Sequence, residues 1–88
     1  MVIYWVYVLR SLKDNNFYTG FTDNLERRII EHNQGLQEST KRRIPFELIY
    51  YEYCLNKDDA IAREKYLKSG LGKRYIKSRL RNFLLKHR

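Results

Sequence analysis

The 88-residue chain has one cysteine, one proline, four glycines and almost no acid beyond residue 62. A single thiol, Cys54, excludes an internal disulfide framework and a cysteine-built metal site. It suits a reducing cytosol, and a lone cysteine in apolar surroundings reads as a small buried hydrophobe in a strand. No apolar stretch approaches the roughly 20 residues needed to cross a bilayer. Met1 leads straight into a strand-like run, without the charged region that opens a signal peptide. There is no His/Cys zinc spacing, Walker loop, dinucleotide-binding glycine pattern or Ser-His-Asp order. Internal repeats and low-complexity segments are absent too.

What is present is aromatic and basic. Eight tyrosines, four phenylalanines and one tryptophan make a compact core feasible in a single domain spanning residues 1–88. They also supply stacking surfaces for bases. The net charge of +8 is unevenly placed. Residues 1–62 carry eight Lys/Arg against nine Asp/Glu, whereas residues 63–88 carry ten against one, Glu64. A concentrated cationic segment attracts polyanions by counterion release, and nucleic acid is the leading partner. An anionic membrane surface is the alternative, through a basic amphipathic helix.

Residues 3–10 are β-branched and aromatic on both parities, the pattern of a strand covered on both faces. Asp14, Asn15 and Asn16 form a turn, and Phe17 to Phe21 returns as a second strand. Asp23 with Glu26 has capping-box spacing and opens a helix that runs to about Gln34, with Gly35 as its stop. Residues 36–44 read as a polar, basic loop. Pro45 opens a third strand, Phe46 to Leu55. Asn56 caps a second helix to about Ser69, with Asp58 and Asp59 in its first turn. Gly70 and Gly72 interrupt, and a third helix runs from about Lys73 to Leu85 on an apolar stripe of Ile76, Leu80, Phe83 and Leu84. The expected fold is α/β (α+β): a small three-stranded antiparallel sheet flanked by helices, in the order β-β-α-β-α-α.

Several polar residues fall where apolar ones belong. Leu25, Arg28, Ile29 and His32 share one helix face, so Arg28 and His32 border the buried stripe. A guanidinium there needs an anionic partner. Arg27 lies elsewhere, as the solvated partner of Glu31. Glu64 lies on or beside an apolar face formed with Ala60, Ile61 and Leu67, where a carboxylate is costly without a cation or metal. A salt bridge to a nearby lysine satisfies it equally well. Tyr7 and Tyr18, taken singly, are ordinary sheet residues. A hairpin followed at once by a helix brings both towards Arg28 and His32, and Glu64 can reach the same surface. Phosphodiester hydrolysis needs a base for water, positive charge on the phosphate and help for the leaving oxygen. This set covers those needs if a carboxylate-held divalent ion joins it, and one carboxylate suits Mg²⁺. The other histidine, His87, reads as inert.

Trp5-Val6-Tyr7, Tyr18-Thr19-Gly20, Asn24 to Ile29, Glu31-His32-Asn33 and Ala62-Arg63-Glu64 together resemble the GIY-YIG endonuclease domain. The likeness is to its small stand-alone branch, related to the nuclease domain of the bacterial excision-repair nuclease. The resemblance implies Mg²⁺- or Mn²⁺-dependent DNA cleavage. It implies that Glu64 ligates the metal, Arg28 holds the scissile phosphate, Tyr7 or Tyr18 activates water and His32 assists. Gly20 would permit close approach of backbone and substrate. Trp5 replaces the first glycine of the motif, and Phe21 follows Gly20 where the repair nuclease resembles a lysine-bearing version. Asn82 is the candidate for a late asparagine seen in some members.

With no appended recognition domain, such a nuclease is expected to select DNA structure, to be weakly specific, or to rely on a partner protein. Repair or recombination in the cytoplasm is the expected setting. Lys73, Arg74, Lys77, Arg79 and Arg81 are the expected backbone-binding face. The alternative is a nucleic-acid-binding module with little catalysis.

Overall fold

A computed structural model describes residues 1–87. Strands β1 (Tyr4–Ser11) and β2 (Phe17–Thr22) form a hairpin, followed by helix α1 (Leu25–Asn33), a 3-10 turn at Lys41–Arg43 and strand β3 (Phe46–Cys54). Helices α2 (Lys57–Lys68), α3 (Gly70–Arg79) and α4 (Arg81–Lys86) complete it. The sheet is antiparallel in the order β2-β1-β3, so the apolar β1 is central, as its two-parity pattern predicts.

The sheet separates two cores. On one face Val6 and Val8 pack with Ala60 and Leu67 of α2 and Ile76 of α3. On the other, Tyr7, Leu9 and Phe46 pack with Tyr18, Leu48 and the α1 residues Leu25 and Ile29. A bulge in β3 keeps this partition. Val8 pairs with Tyr50 but Leu9 with Leu48, so Ile49 is the extra residue. Ile49 and Tyr50 both pack on the α2–α3 face. Half-buried Cys54 joins the same core as a free thiol.

Local chemistry sets the helix ends. The first cap is Asn24, not Asp23: its Oδ1 accepts from Arg27 N–H at 3.1 Å, while Thr22 Oγ1 accepts from Asn24 N–H at 3.1 Å. The anchored Thr22 thus fixes which residue can cap. At the other end of α1, Asn33 donates to the Phe46 carbonyl at 3.0 Å and accepts from its N–H at 2.7 Å, pinning α1 to β3. Asn56 caps α2 by accepting from Asp58 N–H at 2.8 Å.

Gly70 and Gly72 do not interrupt; they form the first turn of α3, because Ser69 Oγ accepts from Gly72 N–H at 3.2 Å. Gly72 is also a packing device. A Cβ there would overlap the Tyr66 carbonyl and the Leu67 backbone, neither of which can yield cheaply. Gly72→Ala should therefore destabilise the fold by about 2–3 kcal/mol, the cost of overpacking against rigid neighbours. A denaturant midpoint lowered at constant slope would confirm it.

The expected third helix is two helices. It breaks at Leu80, which leaves helical geometry (φ −107°, ψ 22°) and packs into the core. The turn places Phe83 under the Arg10 guanidinium, 5.3 Å from its ring centroid. Arg10 is otherwise a buried cation on the α2–α3 face, ion-paired with Glu47 and donating to the His87 carbonyl. His87 itself stacks on Phe83 at 4.6 Å.

Candidate active site

Tyr7 stands at the middle of β1, opposite Gly20 of β2, with its side chain on the α1 face. A Cβ on Gly20 would lie 2.8 Å from the Tyr7 Cζ, so the close approach that glycine permits here is that of the Tyr7 ring. Tyr18 sits one pleat away on the same face, half-buried. α1 then delivers His32, which is buried in full rather than bordering the stripe, at 1% exposure. Its Nε2 lies 3.0 Å from the Tyr7 hydroxyl. Tyr7, Tyr18 and Phe46 surround the imidazole edge-to-face, with centroids at 5.9, 5.0 and 6.1 Å. Such contacts hold a ring in one orientation.

Thr40, in the segment expected to be plain polar loop, fixes the other side of the ring. It is wholly buried, and its Oγ1 lies 2.8 Å from His32 Nδ1. With Nδ1–H donating to Thr40, Nε2 is left to accept from the Tyr7 hydroxyl. Burial first, and the Arg28 guanidinium second, hold His32 below the ordinary imidazole value, with Glu31 opposing. His32 is therefore neutral at pH 7 and able to accept a proton. Burial likewise pushes the Tyr7 hydroxyl far up; Tyr18, Glu64 and Glu31 add to that, while Arg28 opposes. Tyr7 rests as a neutral phenol within hydrogen-bond distance of an imidazole. Thr40→Val should leave Nδ1 unpaired, costing about 1–3 kcal/mol of stability. It should also free the ring tautomer, seen as a shift of the His32 nitrogen resonances.

The charged residues stand at the rim. Arg28 is two-thirds buried, and among the described residues its only ion pair is a loose one with Glu31 at 3.7 Å. Glu31 also meets Arg27 at 3.8 Å, so the pair expected from spacing is present but shared. Glu64 keeps 18% of its side chain exposed and meets Lys68 at 3.6 Å. Its field reaches Tyr7 from α2. The preceding Arg63 is used structurally. It binds both oxygens of Glu52 at 3.0 and 3.1 Å and lies over the rings of Tyr66 and Tyr75.

Among the described residues, no three acidic, histidine or cysteine side chains cluster as a ready metal cage. One partly exposed carboxylate, Glu64, is still the kind of single oxygen ligand that suits Mg²⁺ or Mn²⁺, hard ions that keep several waters. Phe21, on the opposite face from Tyr7, packs into the α2–α3 core. Lys73, Arg74, Lys77, Arg79 and Arg81 are all exposed. Lys73 and Lys77 share a cleft with Asn15, Asn16, Phe17 and Arg43, and Arg81 lines a second with Leu84 and Leu85. Arg74 and Arg79 line neither cleft. No described helix is long and apolar enough to cross a membrane.

Comparison with known proteins places this arrangement. The family model of the GIY-YIG catalytic domain matches residues 3–84. This chain belongs to the GIY-YIG family. That is an endonuclease family, and the relatives place the chain in its small stand-alone UPF0213 group. A UPF0213 protein of Clostridium perfringens is 46% identical over 65 residues, covering 73% of this chain and 69% of that one. One from Staphylococcus haemolyticus is 41% identical over 70 residues, covering 78% and 84%. The solution NMR structure of the UPF0213 protein BH0048 from Bacillus halodurans has a TM-score of 0.54 at 33% identity, covering 86% of this chain and 83% of that one. Thr40 is the contributor to this site that the sequence does not mark, since it lies in a loop without periodicity; Glu31 reads there as the partner of Arg27, and the structure adds its contact with Arg28.

Proposed function

We propose that the protein is a divalent-metal-dependent DNA endonuclease, selecting DNA structure more than sequence and serving repair or recombination. The observation that carries this is the Tyr7 hydroxyl 3.0 Å from Nε2 of a buried His32 held below the ordinary imidazole value, within the fields of Arg28 and Glu64. A phenol cannot act as a base while it keeps its proton, and Tyr7 holds its proton tightly. The paired imidazole solves this. As a water molecule gives a proton to Tyr7 Oη, the Tyr7 proton passes to His32 Nε2. One water O–H bond breaks, the phenol regains an O–H bond, and an N–H bond forms on His32. The resulting hydroxide attacks phosphorus, and the P–O bond to the leaving sugar oxygen breaks, that oxygen taking a proton from solvent.

Arg28, loosely paired and at the rim, binds the phosphate oxygens and offsets their charge. Glu64 would hold the ion. When bound, Mg²⁺ or Mn²⁺ supplies Lewis-acid stabilisation of the charge on phosphoryl and leaving oxygens. Tyr18, more open than Tyr7, keeps the imidazole in place by its edge contact and is the alternative acceptor of the water proton. DNA backbone runs to the cations of α3 and α4, Lys73 and Lys77 with Arg81 foremost. Close approach of substrate at Gly20 is secondary to its role under Tyr7.

The test is cleavage of a labelled panel of supercoiled plasmid, flap, bubble and four-way junction with Mg²⁺ or Mn²⁺. Cutting that needs the metal and favours one structure supports the reading. Tight, salt-sensitive binding with no cutting of any substrate leaves the binding module instead.

A further inference from the structure

The α1 face of the sheet is only half covered. Leu25 and Ile29 of α1 pack over the end that carries Tyr18, Leu9, Leu48 and Phe46. At the other end Trp5, Tyr51 and Tyr53 lie together, outside the cluster that α1 packs against. Tyr51 and Tyr53 are 54% and 58% exposed. Trp5 meets both edge-on, with centroids 5.6 and 5.5 Å away and planes at 63°. An edge contact uses at most one face of a ring, so each tyrosine keeps a face for a ligand.

The patch is continuous with the candidate active site. Tyr51 is the strand partner of Tyr7, and Trp5 precedes Tyr7 by one pleat on the same face. A strand held with its phosphate at Arg28 and Tyr7 would therefore lay its neighbouring nucleotide on Trp5, Tyr51 and Tyr53. We propose that these three side chains are a stacking platform for unpaired bases of the DNA strand next to the scissile phosphate. Exposed aromatic rings on an open sheet face take bases in this way, because every base offers a π-face. The net charge of +8 favours a polyanion over another copy of the same cationic chain. Bases in a duplex cannot reach the platform, which gives the enzyme a physical reason to prefer DNA with unpaired segments.

The inference rests on the nuclease reading, and the test separates the two. Trp5 is the only tryptophan among eight tyrosines, so tryptophan emission, excited at wavelengths that tyrosine does not absorb, reports on the platform. Binding is measured without metal to a short single-stranded oligonucleotide, the same strand made abasic, and its duplex. The expected result is quenching of Trp5 by the intact single strand and not by the abasic one. Tyr51→Thr/Tyr53→Thr should weaken single-strand binding about 5- to 150-fold per lost stack while sparing the duplex and the salt slope. Threonine suits a strand, and circular dichroism checks the fold. Unchanged Trp5 emission on binding, or equal affinity in the double variant, overturns the platform but leaves the nuclease intact. A dimer of the parent that the double variant dissolves overturns it in favour of self-association. A parent that binds no DNA overturns both readings.

Discussion

Tyr7→Phe is expected to lower DNA cleavage by about 10²–10⁴-fold, the range for loss of a positioned proton acceptor, while DNA affinity stays close to that of the parent. Phenylalanine preserves the ring over Gly20 and removes only the hydroxyl. Single-turnover rates beside equilibrium binding separate the two effects. A parallel result follows for pH. Activity needs neutral His32, whose folded value lies below the ordinary imidazole value of about 6.5. Cleavage should hold through pH 6.5 on acidification and fall below it. Stability has the same sign. The unfolded imidazole takes a proton near pH 6.5 and the folded one does not, so stability present above pH 6.5 declines as pH falls below it. A Tyr7→Phe enzyme that cuts at the parental rate would remove Tyr7 from the chemistry and pass the role to Tyr18.

Glu64→Gln should abolish metal-dependent cleavage at every Mg²⁺ concentration tested, with the fold unchanged. The ion pair with Lys68 is long at 3.6 Å, and a neutral amide of the same shape is less costly than a carboxylate in a side chain that is only 18% exposed, so the fold should hold. Glutamine keeps the shape and removes the anionic ligand that a hard cation requires. Titrating Mn²⁺ against cleavage checks it: rescue at high metal marks a weakened ligand, whereas full activity at low metal removes Glu64 from the ion. Arg28→Ala differs in kind. It should cut the rate by about 10²–10³-fold at saturating metal, because it removes positive charge from the phosphate and not the ion.

Much of the fold is legible because local chemistry decides it. Asn56 caps α2, and the two-parity run of β1 predicts a strand buried on both faces. Where neighbours tie, tertiary context decides. Asp23 and Asn24 are both good caps, and the Thr22 hydrogen bond selects the second. Gly70 and Gly72 carry a low helix propensity, overridden by the Ser69 cap and the close approach of α2. The stripe of Ile76, Leu80, Phe83 and Leu84 is apolar as read, yet periodicity cannot show that Leu80 turns the chain.

The site divides similarly. Helical spacing puts Arg28 and His32 on one face and the hairpin brings in both tyrosines, so their gathering is readable. The depth of His32 depends on Thr40, eight residues away through an irregular segment. The burial of Arg10 depends on Glu47, Phe83 and the His87 carbonyl, all distant in sequence. The bulge at Ile49 has no sequence mark at all.

That bulge makes β3 a strand of two phases. Before Ile49 the even-numbered Phe46 and Leu48 face α1; after it the odd-numbered Tyr51 and Tyr53 do. Removing Ile49 alone would restore one phase along the strand with every side chain still on its present face, because Tyr50 would follow Leu48 in simple alternation. If instead the strand ran on through Ile49 without the bulge and the Phe46 half kept its place, Glu52 would face the Tyr7 side and Tyr51 and Tyr53 would face α2, costing Arg63 its carboxylate partner. The length of this strand is thus under tighter constraint than its composition. Away from the bulge residue itself, a one-residue insertion or deletion between Phe46 and Cys54 acts as a half-turn of whatever lies beyond it unless the bulge moves to absorb it.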